Sequence, residues 1–276
     1  MTSFPDIPRL YTALAEWLAV ILYAQSRPRR FGKPVTVAVD VGLALMLGLF
    51  LELTGSVPLA FWLPCMVTAV AMQYFYLWIM RDANWLEAAY DCSRTFILAE
   101  FAASAEWQVH CMLFPQRGGA DPLAILLMAV IYGGAFGVVF WLERTRPHPT
   151  GHMDVSNKAA LVAVVMAMTV FAVSNLLFLG EARTDMMSYC IRTLVDFAGV
   201  LILSVQHEQL REAALHSELA AMDNVLQRQY EQYRQSKENI RLINRRYHEL
   251  KMQIAAIRAE QDPTKQNAAL AEMEQD

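Results

Sequence analysis

With 55% hydrophobic and only 18% charged side chains over 276 residues, and a mean hydropathy of +0.26, the chain is too apolar for an ordinary soluble protein. A net charge of −4 and a pI near 5.9 give no basic signature for nucleic acid. Cys65, Cys92, Cys111 and Cys190 form no CxxC pair and lie in or beside apolar segments, so they read as small packing residues and no metal site is expected.

The apolar residues fall unevenly. Up to about residue 205 the chain runs span after span, and from Gln206 onward it is polar and densely charged. This predicts a membrane domain over 1–205 and a cytoplasmic helical tail over 206–276. Windows near the ~20 residues needed to cross a bilayer occur at about seven places. The first, Ile7 to Tyr23, contains Glu16, and neither a preceding basic run nor a following cleavage site marks it as a signal peptide. The second, Val35 to Leu53, contains Asp40. The third, Val57 to Met80, carries Pro64, where a kink is expected. The fourth, Leu86 to Phe114, is interrupted by Asp91, Arg94, Glu100, Glu106 and His110. The fifth, sixth and seventh run Pro122 to Leu142, Lys158 to Leu179 and Met186 to Val205.

Lys and Arg are retained on the cytoplasmic side of a membrane. Arg27, Arg29, Arg30 and Lys33 follow span one, Arg81 follows span three, and Arg144, Arg146 and Lys158 follow span five. The opposite connections hold only Arg117 and Arg183, with Arg9 near the start. The alternation predicts an external N-terminus and a cytoplasmic tail, in a multi-pass protein of the cell membrane in contact with its lipids. The fourth segment must then cross as well.

No Gly or Pro interrupts Val200 to Asp262, which predicts that span seven continues into the tail as one helix. At ~1.5 Å per residue, the about 40 residues from membrane to His248 amount to roughly 60 Å. Leu215, Leu219, Met222, Leu226, Tyr233, Ile240, Ile243, Tyr247, Leu250, Ile254 and Ile257 alternate in steps of three and four and fill heptad a and d positions. Gln229 and Ser236 are polar d residues that soften the middle of the seam. His248 falls at b, beside the seam and facing water, with Glu249 next to it. Pro263 ends the helix, and Thr264 or Asn267 is a cap for a second one.

The run YHELKMQI, with the linker LQRQYEQYRQSKENIRLINRRYHEL before it, resembles the H-box of sensor histidine kinases of the quorum-sensing peptide-receptor (GHKL) type. The likeness is strongest from about Leu201 to Ile257 and rests on span pattern alone in the membrane half. It implies an all-α architecture: a polytopic transmembrane helix bundle continuing into a dimeric coiled coil and part of a phosphotransfer hairpin. It also implies that His248 is the phosphoacceptor, that Glu249 is its acidic neighbour, and that a response regulator is the downstream partner of a homodimer. A cyclic peptide ligand is implied by the resemblance alone. ATP and Mg are expected only on a separate GHKL domain, because nothing between His248 and Asp276 resembles one. The chain alone is therefore expected to be inactive as a kinase and to bind no cofactor. Met252 stands four residues after His248, where the family carries a polar Asn or His. An apolar side chain cannot orient a hydrolytic water, which weakens the expectation of phosphatase activity.

Ionisable residues inside spans are costly and point to function by default. Arg192 and Asp196 are four residues apart on one face of span seven and can pair, either as a structural ion pair or as a switch that a competing ligand opens. Glu87, Asp91 and Arg94 have spacings that link them. Glu100 and Glu106, among small residues and Trp107, line either a helix-packing interface or a polar ligand pocket in the outer half, which Glu16, Asp40 and Asn175 can join. Gly133 and Gly137 give a GxxxG spacing for close packing within a protomer or across a dimer. No P-loop, HExxH or nucleophile elbow occurs. The rival to a kinase-lineage sensor is a non-enzymatic receptor that heterodimerises with a full-length kinase through the same heptads. A transporter predicts repeated halves, which the chain does not show.

Overall fold

The computed structural model describes residues 6–55, 57, 59–145, 155–176 and 186–259, with backbone alone at 59, 60 and 257–259. Arg146, Arg183, the turn at Pro263 and the second helix expected after it lie outside the described residues, as does the side chain of Ile257. The protein is all-helical, with no strand among the described residues: α1 (Arg9–Ala24), α2 (Lys33–Thr54), α3 (Leu59–Met80), α4 (Trp85–Leu113), α5 (Pro122–Thr145), α6 (Asn157–Asn175) and α7 (Met186–Ala259).

Local chemistry sets the helix ends. Pro34 stands in the first turn of α2, where its missing N–H costs nothing. The start of α4 is a capping box: Asn84 accepts from the backbone N–H groups of Leu86 and Glu87, and Glu87 reaches back to the Asn84 N–H. Ser156 caps α6 through the N–H of Ala159. Pro64 lies inside α3, and nothing ends that helix there.

Five helices, α2, α3, α5, α6 and α7, are long and apolar enough to cross a membrane. Their apolar side chains point outward. On α2 only Thr36, Leu43, Leu47 and Leu51 are buried, a narrow stripe, while Val37, Leu45, Leu49 and Leu53 are exposed. So much outward apolar surface marks a membrane protein.

α4 is the reverse case. It is too charged to meet the apolar criterion, yet twenty of its side chains are buried, because α1, α3, α5 and α6 all pack on it. Small residues make that close packing feasible: Ala15 and Ala19 of α1 lie against Ala99, Ala102 and Ala103 of α4. Ala160, Ala163, Ala167 and Val170 of α6 pack with Tyr90, Phe96 and Ile97. Gly199 of α7 fits where an added Cβ would stand 2.9 Å from a Val170 methyl and 3.0 Å from Ile97 Cγ2. The GxxxG glycines behave differently, because a Cβ at Gly133 or Gly137 would meet nothing within 4 Å. That motif is not used for packing among the described residues of the protomer.

The chain divides into two compact units, 1–214 and 215–276. Hydropathy places the boundary after residue 205. The first unit reaches further because His207 and Arg211, polar in sequence, are buried in it. In the second unit Leu215 and Glu218 are half-buried, and α7 is exposed from Leu219 to Ala256, including the heptad residues Leu219, Met222, Leu226, Tyr233, Ile240, Ile243, Tyr247, Leu250 and Ile254.

Candidate functional site

The buried polar groups of the first unit are strung along α4. Near its N-terminus, Arg27 from the α1–α2 connection donates Nε to Asp91 at 2.5 Å and Nη1 to Glu87 at 2.9 Å. Burial alone works against the charge of Arg27. Asp91, and then Glu87, outweigh that and hold its pKa above the ordinary arginine value. Glu87 thereby serves one oxygen to two donors, the Asn84 N–H at 3.0 Å and the Arg27 guanidinium. Sequence spacing links Glu87 and Asp91 to Arg94. The structure links them through Arg27 and turns Arg94 toward α5, where it donates to Glu143.

Arg94 also lies over the ring of Tyr23, 4.2 Å from its centroid, a cation–π contact within a buried site. Glu143 faces α7 as well, with His207 Nε2 at 3.9 Å, and His207 stacks on Tyr90 with ring centroids 6.0 Å apart. One carboxylate thus ties α4, α5 and α7 together.

Two turns further along, Arg192 of α7 donates to Glu100 at 2.9 Å, and Ser104 donates to Asp196 at 2.8 Å. Both members of the expected Arg192–Asp196 pair are therefore bound to α4. Glu100 is also electrostatically coupled to Glu16 of α1, which accepts from Gln73 of α3 at 2.9 Å. Oδ1 of Asp196 and Oε1 of Glu16 have no hydrogen-bond partner among the described residues. Glu100 and Asp196 share the neighbourhood of the Arg192 guanidinium, with Glu16 on the other side of Glu100, so the contacts at this level are not saturated.

At the far end of α4, Glu106 is fully buried and neither of its oxygens has a hydrogen-bond partner among the described residues. Two tyrosines within its electrostatic reach have spent their donors elsewhere, while His110, one turn on, has Nδ1 without a partner among the described residues. Tyr11 donates to Gly119 O at 2.7 Å, Tyr132 donates to Tyr11 O at 2.9 Å, and His110 Nε2 lies 3.0 Å from Arg117 O.

Of the residues singled out in sequence, Glu100, Arg192 and Asp196 come together, and Asp91 and Arg94 sit nearer the start of α4 with Arg27 and Glu143. His248 and Glu249 belong to the second unit. His248 is exposed, 6.0 Å in ring centroids from Tyr247, and Glu249 pairs with Arg245 at 3.2 Å and Arg246 at 3.8 Å. The four cysteines are free thiols, and Cys190 accepts a contact from Gln108 at 3.1 Å. Arg27, Glu143 and Tyr23 carry no signal in sequence beyond charge or polarity at a span end, and Gln73 and Ser104 none beyond being polar within a span. No protein-family model, curated protein or solved structure matches the chain.

Proposed function

We propose that the chain is the membrane sensor module of a two-component histidine kinase, carrying a signal from its buried polar axis to His248 as phosphoacceptor. One observation supports this above the others. The single helix α7 (Met186–Ala259) contributes Arg192 and Asp196 to the contacts with α4 and, further along, an exposed heptad seam with His248 beside it. A ligand or membrane signal that competes for Glu100 or Asp196 changes how α7 is held, and a change in α7 alters helix register at the seam.

In this reading the protein is a multi-pass protein of the cell membrane, with its N-terminus outside and its tail in the cytoplasm, dimeric through the heptads. His248 takes the γ-phosphoryl group of Mg-bound ATP held by a GHKL domain, with the His Nε–P bond forming as the ADP oxygen leaves. The phosphoryl group then passes to an Asp of a response regulator. The lineage itself rests on the resemblance of YHELKMQI and its linker to the family's H-box. The experiment is phosphate incorporation from radiolabelled ATP into the chain in nanodiscs, with and without an isolated GHKL domain. Label that needs the added domain and disappears in His248→Gln is expected. No label, from a domain that phosphorylates its own hairpin in the same tube, removes the kinase reading.

A second reading, a receptor that pairs with a different kinase chain, is favoured by the residues flanking the seam. In a parallel homodimer Glu218 faces Asp223 of the partner subunit, and Arg246 faces Lys251 of the partner subunit, two like-charged pairs with no opposite-charged pair to offset them. Co-expression of differently tagged chains, with and without full-length kinases, separates the two readings.

A further inference from the structure

We propose that Glu106 anchors a binding site for an organic ammonium ion at the end of the first unit opposite Arg27. The proposal goes beyond the sensor reading, since this site is separate from the contacts of Glu100 and Asp196 with α7 and α4, and it rests on that reading only for what binding would signal.

Three observations carry it. The first is the orphaned carboxyl. Glu106 is fully buried, and neither oxygen has a hydrogen-bond partner among the described residues. Glu16, Glu100 and Asp196 each have at least one donor from a neighbouring helix, whereas Glu106 has none among the described residues. A buried carboxyl group left in this state loses hydration without compensation, so an incoming cationic donor gains what the protein does not supply.

The second is the wall around it. Tyr11, Trp107, Cys111 and Tyr189 form one buried cluster, and Tyr11 and Tyr132 both lie within electrostatic reach of Glu106. The two tyrosine hydroxyls are committed to backbone carbonyls, which leaves the ring faces as what these residues offer. Trp107 keeps one face on His110, with ring centroids 4.5 Å apart, and meets Tyr11 edge-on; a carboxylate among such rings suits an ammonium group, by charge from the carboxylate and by ring quadrupoles from its neighbours. A metal ion fits less well, since among the described residues no group of three His, Cys, Asp or Glu side chains comes together.

The third is its position. Part of the cover over the cluster is a connecting segment: Gly119, in the α4–α5 connection, accepts from Tyr11, and a Cβ there would stand 2.9 Å from Pro8 Cγ and 3.7 Å from Trp107. Entry at this end displaces a loop and leaves the helices packed. Tyr189, in the first turn of α7, belongs to the same cluster, so an occupant touches the helix that carries His248.

The test is direct binding to the full chain in nanodiscs. The probes are methylammonium and tetramethylammonium chloride, with tert-butanol as a neutral ligand of similar size and NaCl at matched ionic strength. Saturable binding of an ammonium probe is expected, weakened at least about tenfold in Glu106→Gln, equivalent to about 1.4 kcal/mol. Asp82→Asn, a neutralisation of an exposed carboxylate in the α3–α4 connection, is expected to leave it unchanged. Size-exclusion profile and helical circular dichroism establish that each variant is folded. If Glu106→Gln does not fold, Trp107→Leu takes its place and is expected to weaken tetramethylammonium more than methylammonium. Equal response to tert-butanol, equal binding by Glu106→Gln, or proton exchange with no saturable ammonium binding overturns the proposal. Those outcomes leave phosphoryl transfer to His248 untouched, and failure of His248 to accept phosphate leaves the ammonium site untouched.

Discussion

Gly199 is where α7 comes closest to its neighbours, and Gly199→Ala tests whether that approach is as tight as it looks. An alanine Cβ would stand 2.9 and 3.0 Å from the two γ-methyls of Val170 and 3.0 Å from Cγ2 of Ile97. Carbon atoms settle at about 3.5–4.0 Å, so the shortfall is roughly half an ångström or more on two sides. Val170 cannot swing away, because a β-branched side chain has one favoured rotamer in a helix. Overpacking of this kind costs about 1–3 kcal/mol. Replacing glycine by alanine in a helix returns about 1 kcal/mol. The net expectation is a loss of about 0–2 kcal/mol, a range too close to zero to decide the matter alone. The decisive measurement is therefore the double-mutant cycle with Val170→Ala, which removes two of the three close atoms and leaves Ile97 Cγ2. In that background Gly199→Ala should be neutral or stabilising, giving a coupling of about 1–2 kcal/mol by reversible unfolding in mixed micelles. Gly199→Ala stabilising by about 1 kcal/mol in both backgrounds would refute close packing of α7 on α6.

Arg192→Met leaves Glu100 buried without its guanidinium. A loss of about 1–4 kcal/mol is expected, partly recovered when Glu100→Gln is added, as measured by thermal unfolding in nanodiscs. Glu87→Gln should cost less than Glu87→Ala by about 1 kcal/mol or more, since glutamine at the third helical position still closes the capping box. Unfolding of the two variants side by side checks this. Ile243→Asp puts a charge in the exposed seam and should abolish self-association of the chain, read by cross-linking in nanodiscs, while the helical signal of the first unit is unchanged. Equal cross-linking would show that dimers form elsewhere.

How much of this was legible from the residues depends on the range of the interaction. The helices were, since spans and heptads are periodic over a few turns and their ends carry Pro, Asn and Ser signals. The polar character of α4 was visible too, but the same charges made it look like the weakest span. Its place at the centre of the packing comes from Ala15, Ala19, Ala160 and Ala163 on other helices, and no local pattern announces that. Arg27 illustrates the limit. In sequence it is one of a basic run that sets orientation, and its binding to Asp91 spans 64 residues. Glu143 beside Arg144 reads as a span end, whereas folded it joins three helices. The membrane-to-tail boundary drawn from hydropathy after residue 205 differs from the boundary between the compact units for a related reason: His207 and Arg211 are polar, and their packing keeps them in the first unit.

The polarity of α4 also bears on how the protein is made. Charged residues at the centre of a lone helix cost about 2.5–3.5 kcal/mol each on insertion scales, and α4 carries Asp91, Arg94, Glu100 and Glu106 between its ends. Released sideways into lipid during synthesis, it would be rejected or would drag water with it. Its partners arrive on both sides of it in time: Arg27 before it, Glu143, Arg192 and Asp196 after it. The ribosome therefore delivers the middle of the protein before half of its counter-charges exist, and α4 must wait at the edge of the insertion machinery until α5 to α7 have emerged. Maturation of this chain is a late, collective event. A ribosome stalled after Thr145 should leave α4 accessible to water-soluble reagents that no longer reach it once α7 is complete.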